Sequence, residues 1–481
     1  MTANVETLAE MATAMASGQT SACELLTKHL VRVSELDETF AAVLTLNPEA
    51  QEIAQALDRE RDQQGVRGPL HGIPVMVKDN LDTADAMPTT AGSLALAGTH
   101  ATRDATVVAK LREAGAVLVG KTNLSEWANF RSPMSSSGWS SHGGQTRNAH
   151  DPLRTPGGSS SGSGVAVSLG YCAAAIGTET DGSIVSPASM NGVVGIKPSI
   201  GWISRAGIIP ISSSQDTAGP MTRTVRDGAL MLNAIAGADE RDLTTTTPPH
   251  RGTDFTAGLA AATLSGKRLG VPTSYTGYHT GADNLLADAI DALRAAGATV
   301  VEDVSLTPPE EIRSAERVVM ETEFKAGLNA YLASRPAGET IADIDALIAF
   351  NEANGARVLP HFGQEIVLAS AARGDLDDAD YVAARELSLS LAGRDGIDAA
   401  LGRANLDALI APTTSPAWLI DWINGDNRKG SCACPPAVAG YPHVTVPMGK
   451  VAHLPVGLSF IGRAFDDVNI IALAYAFESL G

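Results

Sequence analysis

A mixed α/β protein, with one central sheet covered by helices on both faces, is the fold class this sequence predicts. Three observations carry that expectation. Short apolar runs bounded by turn residues recur from residue 73 to residue 461, and helical patterns separate them. Strand-like runs lie near both ends of the chain and bracket a long helical stretch, which favours one large domain with an insert over two beads on a string. The chain is also long and small-residue-rich, with 481 residues, 47 glycines and only 4% aromatics, which suits close backbone packing.

Residues 1–66 read as helices. Ser21-Ala-Cys-Glu24 is a capping box opening the second of them, and Asn47-Pro48 marks the break before a third. IPVMVK is a buried strand ending at Lys78. Ala105–Ala114 is helical by periodicity, 116–119 is a strand, and 123–130 is expected to be a helix. Residues 131–164 are rich in Ser and Gly; a flexible linker has that composition. However, the stretch carries Trp139, Gln145 and Asn148 between ordered elements, and a long loop inside a compact domain is usually functional. A helix over 164–170 and strands over 173–177 and 193–196 follow. KRLGV opens another strand, then come a helix (285–296) and a strand (299–304). Residues from about 308 to 404 form the helical insert. Strands return at 406–411, 444–447 and 456–461, and a helix over 468–479 ends the pattern.

Charge and cysteine usage exclude several functions. The net charge is −19, with 35 basic against 54 acidic residues, so neither nucleic acid nor an anionic membrane surface is an expected partner. Four cysteines, Cys23, Cys172, Cys432 and Cys434, form neither a disulfide framework nor a zinc pattern. The first residues lack the basic region of a signal peptide, and no apolar run reaches the roughly 18 residues of a membrane span. A cytoplasmic location is the expectation.

Two motifs mislead. GAVLVGKT at 115–122 fits the phosphate-binding loop G-x-x-x-x-G-K-[ST]. Its interior, Ala-Val-Leu-Val, is strand-like, and a strand's N–H groups are spent on its neighbours rather than on phosphate. GSSSG at 158–162 fits the nucleophile elbow G-x-S-x-G, but no strand precedes it, and nothing ties His361, His443 or His453 to it. What remains is a lysine at a strand end, Lys78, and two serine-bearing glycine loops.

Those pieces carry a resemblance. HGIPVMVKDN, TPGGSSSGSGVAVS, GTETDGSIVSPAS and NGVVGIKPS together resemble the amidase signature family. Supporting segments are GAVLVGKTNLSEWANF, GPMTRTVRDGALML, LDALIAPTT, AVAGYPHVTVPMG and LPVGLSFIG, so the match spans about residues 10–480. SEWANFRSP, GGQTRN, GTETDGSI and GIIPISSSQDTAGPM look most like the bacterial peptide-amidase branch of that family, whose members release ammonia from C-terminal peptide amides. The resemblance implies the family's α/β/α fold as a single domain over 1–481, with the insert near the mouth of the site.

It further implies a cofactor-free, metal-free triad of Lys78, Ser159 and Ser183. Ser183 would be the nucleophile. Ser159 would be a bridging serine preceded by a cis peptide bond, and Lys78 the base. Backbone N–H groups of Thr180, Asp181, Gly182 and Ser183 would form the oxyanion hole. Met134, Ser135 and Ser136 align with a substrate loop. The chain departs from most relatives in reading Asp181-Gly-Ser-Ile-Val185, where they read Gly-Gly-Ser-Ile-Arg. The missing arginine speaks against recognition of a free carboxylate there. The Asp181 carboxylate either binds a donor on the substrate or turns back onto its own loop. The expected partner is a peptide amide or small-molecule amide, and the chain is expected to be a monomer or homodimer. Aryl acylamides, fatty or small aliphatic amides, and the glutaminase role in a tRNA-dependent amidotransferase remain alternatives. A lysine base must be neutral to act, and burial lowers a lysine pKa.

Overall fold

The computed structural model describes residues 5–247, 252–336 and 341–481. The first four residues of the expected N-terminal segment, and 337–340 of the expected insert, lie outside the described residues.

Three helices come first, α1 (Leu8–Ala16), α2 (Ala22–Phe40) and α3 (Ala50–Gln64), with the Ser21–Glu24 capping box formed as the sequence predicts. Among the described residues the central sheet has eleven strands. They are β1 (Val43–Leu46), β2 (Pro74–Lys78), β3 (Val117–Thr122), β4 (Ala174–Glu179), β5 (Val194–Lys197), β6 (Thr217–Thr222), β7 (Arg268–Pro272), β8 (Thr299–Val304), β9 (Ala408–Pro412), β10 (His443–Val451) and β11 (Leu454–Ile461). Their order is β1-β3-β2-β4-β6-β5-β10-β11-β9-β7-β8. The sheet is mixed: β3-β2-β4 run parallel, β6 and β5 are antiparallel within the centre, and β9-β7-β8 are parallel at the far edge.

Helices flank the sheet. α4 (Thr106–Glu113) joins β2 to β3, and α5 (Ser161–Leu169) and α6 (Val185–Asn191) pack together beside the central strands. α7 (Val225–Ile235) packs with α4 and with the last helix, Asp467–Glu478. α8 (Thr280–Ala295) joins β7 to β8. The insert opens with α9 (Pro309–Ala333) and continues as shorter helices to Arg403. β2, β3 and β4 are buried along their whole length, so the apolar run predicted before Lys78 is a central strand with no solvent face.

Residues 43–46 of the expected helical segment are instead strand β1, paired antiparallel with β3 through its apolar Val-Leu-Thr-Leu run. Two further departures from the sequence reading have physical causes. Residues 123–130 are not a helix: Trp127, Ala128 and Asn129 have φ of 52°, 54° and 72°, a left-handed turn. Polar anchors outweigh the helical periodicity there. Glu126 accepts from Arg131 Nη1 at 2.9 Å and from the Ser141 N–H at 2.6 Å, while the Trp127 N–H donates to the Ala91 carbonyl. β6 reads TAGPMT, a turn-like string, yet it lies between β4 and β5. Gly219 is needed because a Cβ there would sit 2.1 Å from the Ile196 carbonyl oxygen.

The Ser/Gly stretch is ordered by its polar side chains. Trp139–Ser140 pairs with Gly144–Gln145, the Gln145 amide donates to the Ser137 and Thr146 carbonyls, and Asn148 donates to the carbonyls of Thr155 and Met190.

Candidate active site

The parallel pairing of β2 with β4 brings their carboxyl ends side by side, where sheets of this kind place ligands. Lys78 ends β2. Thr178 and Glu179 end β4 and lead through 180–183 into α6. Ser159 stands just ahead of α5, after a cis Gly158–Ser159 peptide bond.

Lys78 is fully buried. Its Nζ lies 2.8 Å from Ser159 Oγ, 2.8 Å from Thr178 Oγ1 and 3.3 Å from the Thr178 carbonyl. Burial pulls its pKa down to about 7, against the opposing attraction of Asp216 and Glu179. A neutral amine here can take a proton from Ser159 while donating to Thr178. Asn80 Nδ2 also donates to Thr178 Oγ1, at 3.0 Å.

Ser183 is tied to the same loop by its backbone: the Ser160 N–H donates to the Ser183 carbonyl at 3.1 Å. Among the described residues its hydroxyl has no hydrogen-bond partner, so the structure joins Lys78 to Ser159 directly and Ser183 to that pair through Ser160. The turn is anchored from below by Glu179, whose Oε2 accepts the N–H groups of Ile184 and Val185 at 2.8 and 3.1 Å. Burial raises the Glu179 pKa, and Lys197 opposes the shift.

The N–H groups of Asp181, Gly182 and Ser183 have no partner among the described residues, although nearly all buried backbone groups in folded proteins are paired. Gly182 has φ +78°, and a Cβ there would press on Ala433 and Ser186. Thr180 is held differently. Its hydroxyl donates to Asp216 Oδ1 at 2.5 Å, and its carbonyl accepts from Gln215 Nε2 at 3.2 Å. Asp216 is pushed up to about 6 by burial.

Ser135 and Ser136 are buried and Met134 is half-exposed. The next residue, Ser137, adjoins the Ser159 loop: a Cβ on Gly158 would lie 3.1 Å from its hydroxyl. The Ser135 hydroxyl is buried without a partner. The loop is fixed from outside by Asp426, which accepts from the Ser137 N–H and hydroxyl.

The chain is similar to known proteins along almost its whole length. The amidase family model matches residues 24–471. The chain belongs to the amidase family. This amidase is 48% identical to the native peptide amidase of Stenotrophomonas maltophilia, with a TM-score of 0.94 over 98% of this chain and 96% of that one. A peptide amidase structure in complex with the competitive inhibitor chymostatin gives 48% identity and a TM-score of 0.95, covering 98% of this chain and 97% of that one. A glutamyl-tRNA(Gln) amidotransferase chain of Chloroflexus aurantiacus is 37% identical over 97% of this chain and 95% of its own length. The amidase is an amide-hydrolysing enzyme with the mixed α/β fold predicted for it. No helix among the described residues is long and apolar enough to cross a membrane.

Sequence reading missed Thr178, Asn80, Glu179, Gln215 and Asp216. The first three lie inside the motifs that carried the resemblance, and the last two in the QDTAGPM segment; their roles depend on which strands become neighbours.

Proposed function

We propose that this amidase hydrolyses C-terminal peptide amides through Ser183, Ser159 and Lys78. The observation that carries the reading is a fully buried lysine whose amine reaches a serine hydroxyl at 2.8 Å. Ser183 Oγ attacks the amide carbon and passes its proton to Ser159, whose own proton goes to Lys78. The carbonyl oxygen becomes an oxyanion facing the unpaired N–H groups of Asp181, Gly182 and Ser183; one such donor is typically worth about 2.7 to 4 kcal/mol. The C–N bond breaks as the proton returns through Ser159 to the leaving nitrogen, which departs as ammonia. Water then cleaves the Ser183 ester by the same relay. In this reading the Asp181 carboxylate takes a donor from the substrate, and Met134, Ser135 and Ser136 line the pocket, the free Ser135 hydroxyl bonding the peptide.

The peptide substrate is supported by the 48% identity with peptide amidase across almost the whole chain, and by that protein's complex with chymostatin. Ammonia release from a panel of peptide amides, anilides, fatty amides and glutamine tests it, with peptide amides expected to have the highest kcat/KM. Glutamine as the best substrate would assign the amidotransferase role instead. Ser183→Ala is expected to remove turnover while leaving the circular dichroism spectrum intact; retained turnover would overturn the nucleophile.

A further inference from the structure

Helix α9 contributes nothing to the triad, yet one of its carboxyls reaches the nucleophile turn. Glu316 is 1% exposed. Its Oε1 accepts from Gln215 Nε2 at 2.9 Å, and the same nitrogen donates to the Thr180 carbonyl at 3.2 Å. Gln215 and Asp216 thus grip Thr180 at two atoms, and α9 in turn grips Gln215. On its other side Glu316 Oε2 accepts from Cys434 Sγ at 3.7 Å. Carboxyl oxygens of Asp181 and Glu316 and the Cys434 sulfur all lie within 4.8 Å of one another.

Two carboxylates that close do not both ionise readily. Burial and then Asp181 hold the Glu316 pKa well above its ordinary value, opposed by Gln215, Arg313 and Cys434. The titratable and charged groups facing it are Asp181 from the turn, Cys434 from the helix Cys434–Val438, and Arg313 one turn earlier on α9. Tyr275, after β7, faces Asp181, Arg313 and Cys434 in turn. The neighbouring helix Ala379–Leu389 offers Tyr381, but to Glu323 rather than Glu316.

We propose that Glu316 is a positioning residue: protonated, it braces the Ser183 turn through Gln215 and leaves one negative charge beside the nucleophile, and its ionisation ends turnover on the alkaline side. The inference rests on Ser183 being the nucleophile. Oε1 receives the strong Gln215 N–H bond at 2.9 Å, and Oε2 has only the weak, long Cys434 S–H contact at 3.7 Å, so in the protonated form Oε2 carries the proton and keeps a lone pair for Cys434. Once it leaves, two anions face each other beside the point where the oxyanion develops. Their repulsion also disturbs the turn whose N–H groups receive that oxyanion.

The test is kcat and kcat/KM from pH 6 to 10 on a peptide amide, with circular dichroism, for the full chain and three variants. Glu316→Gln keeps an acceptor for Gln215 and cannot ionise, so it is expected to lose the alkaline fall. Glu316→Ala loses the brace, and kcat is expected to drop on the order of tenfold to a hundredfold. Asp181→Asn removes the neighbouring charge and should move the fall to lower pH. An unchanged alkaline fall in Glu316→Gln, or an unchanged kcat in Glu316→Ala, overturns the proposal. If Glu316→Gln does not fold, an unmoved fall in Asp181→Asn overturns it. An active Ser183→Ala would sink the underlying nucleophile reading; an inactive Ser183→Ala with an unmoved alkaline fall in Glu316→Gln sinks this inference alone.

Discussion

Lys78 and Lys121 end or nearly end adjacent parallel strands, and both are fully buried, but they sit in opposite electrostatic settings. Lys121 Nζ donates to the Leu81 carbonyl at 2.9 Å and to Thr89 Oγ1 at 2.6 Å, with Asp79 Oδ1 3.8 Å away. Burial lowers its pKa, while Asp79, Asp82 and Asp85 all pull it back toward the charged form. Lys78 has hydroxyls and a carbonyl for company; its favourable charges, Asp216 and Glu179, are not among its bonded partners. Desolvation lowers both lysines. The absence of a bonded carboxylate lets the shift at Lys78 reach about 7, where a neutral amine is available. Asp79, adjacent to Lys78 in sequence, points its charge at the other lysine and binds Thr90.

The comparison breaks most visibly at Lys78. Lys78→Met is expected to lower kcat by on the order of 10³-fold or more, within the upper range for losing a general base, with the fold intact. Ammonia release at pH 8 measures it. In the unaltered enzyme kcat/KM should rise about tenfold per pH unit below 7 and level off just above it, before the alkaline fall assigned to Glu316, because the deprotonated amine is the active form. A profile flat from pH 6 to 8 would remove Lys78 from the relay.

Lys121→Met should reverse the pattern. Removing one partner of a buried pair leaves Asp79 uncompensated and costs about 3 to 5 kcal/mol of stability. Asp79 is already pushed up to about 6 by burial, so part of that cost is relieved by protonation. Turnover per folded molecule is expected to stay within about threefold. Urea melts paired with active-site titration separate the two effects, and a large loss of kcat without a loss of stability would make Lys121 functional.

The same contrast marks what the sequence could and could not disclose. GAVLVGKT was legible as a strand because four consecutive apolar residues leave no loop to wrap a phosphate, and β3 is that strand. Lys78 and Ser159 could be picked out from short strings of the sequence, and the structure brings Lys78 Nζ to 2.8 Å from Ser159 Oγ; Ser183 was picked out the same way, and its role is part of the proposal. Thr178 was not, though it lies five residues from Ser183: its contact with Lys78 comes from the pairing of β2 with β4, about 100 residues apart in the chain. Nor was the link from Glu316 through Gln215 to Thr180, which needs a helix of the insert to meet the β5–β6 connection. β6 was hidden by its own composition, since Gly219 and Pro220 read as a turn until the crowding against Ile196 is known.

The smallest effect is the most specific to a desolvated, unpaired lysine. Lys78 has a pKa of about 7 in the native state and about 10.4 when unfolded. Between those values the unfolded chain binds a proton that the native chain does not, so the contribution of this residue to stability rises with pH, by up to about 1.4 kcal/mol per unit. Below pH 7 both states are protonated and the contribution is flat at its least favourable. Methionine at position 78 carries no such term. The stability difference favouring Lys78→Met should therefore be largest at pH 7 and below and shrink steadily toward pH 10. Lys121→Met should show a weaker trend, because the neighbouring aspartates hold that amine closer to its charged form. Urea melts of all three proteins at pH 7, 8 and 9 measure the slopes. Parallel curves for Lys78→Met and the unaltered enzyme would mean that Lys78 is charged in the native state, and the contrast between the two lysines would fail with it.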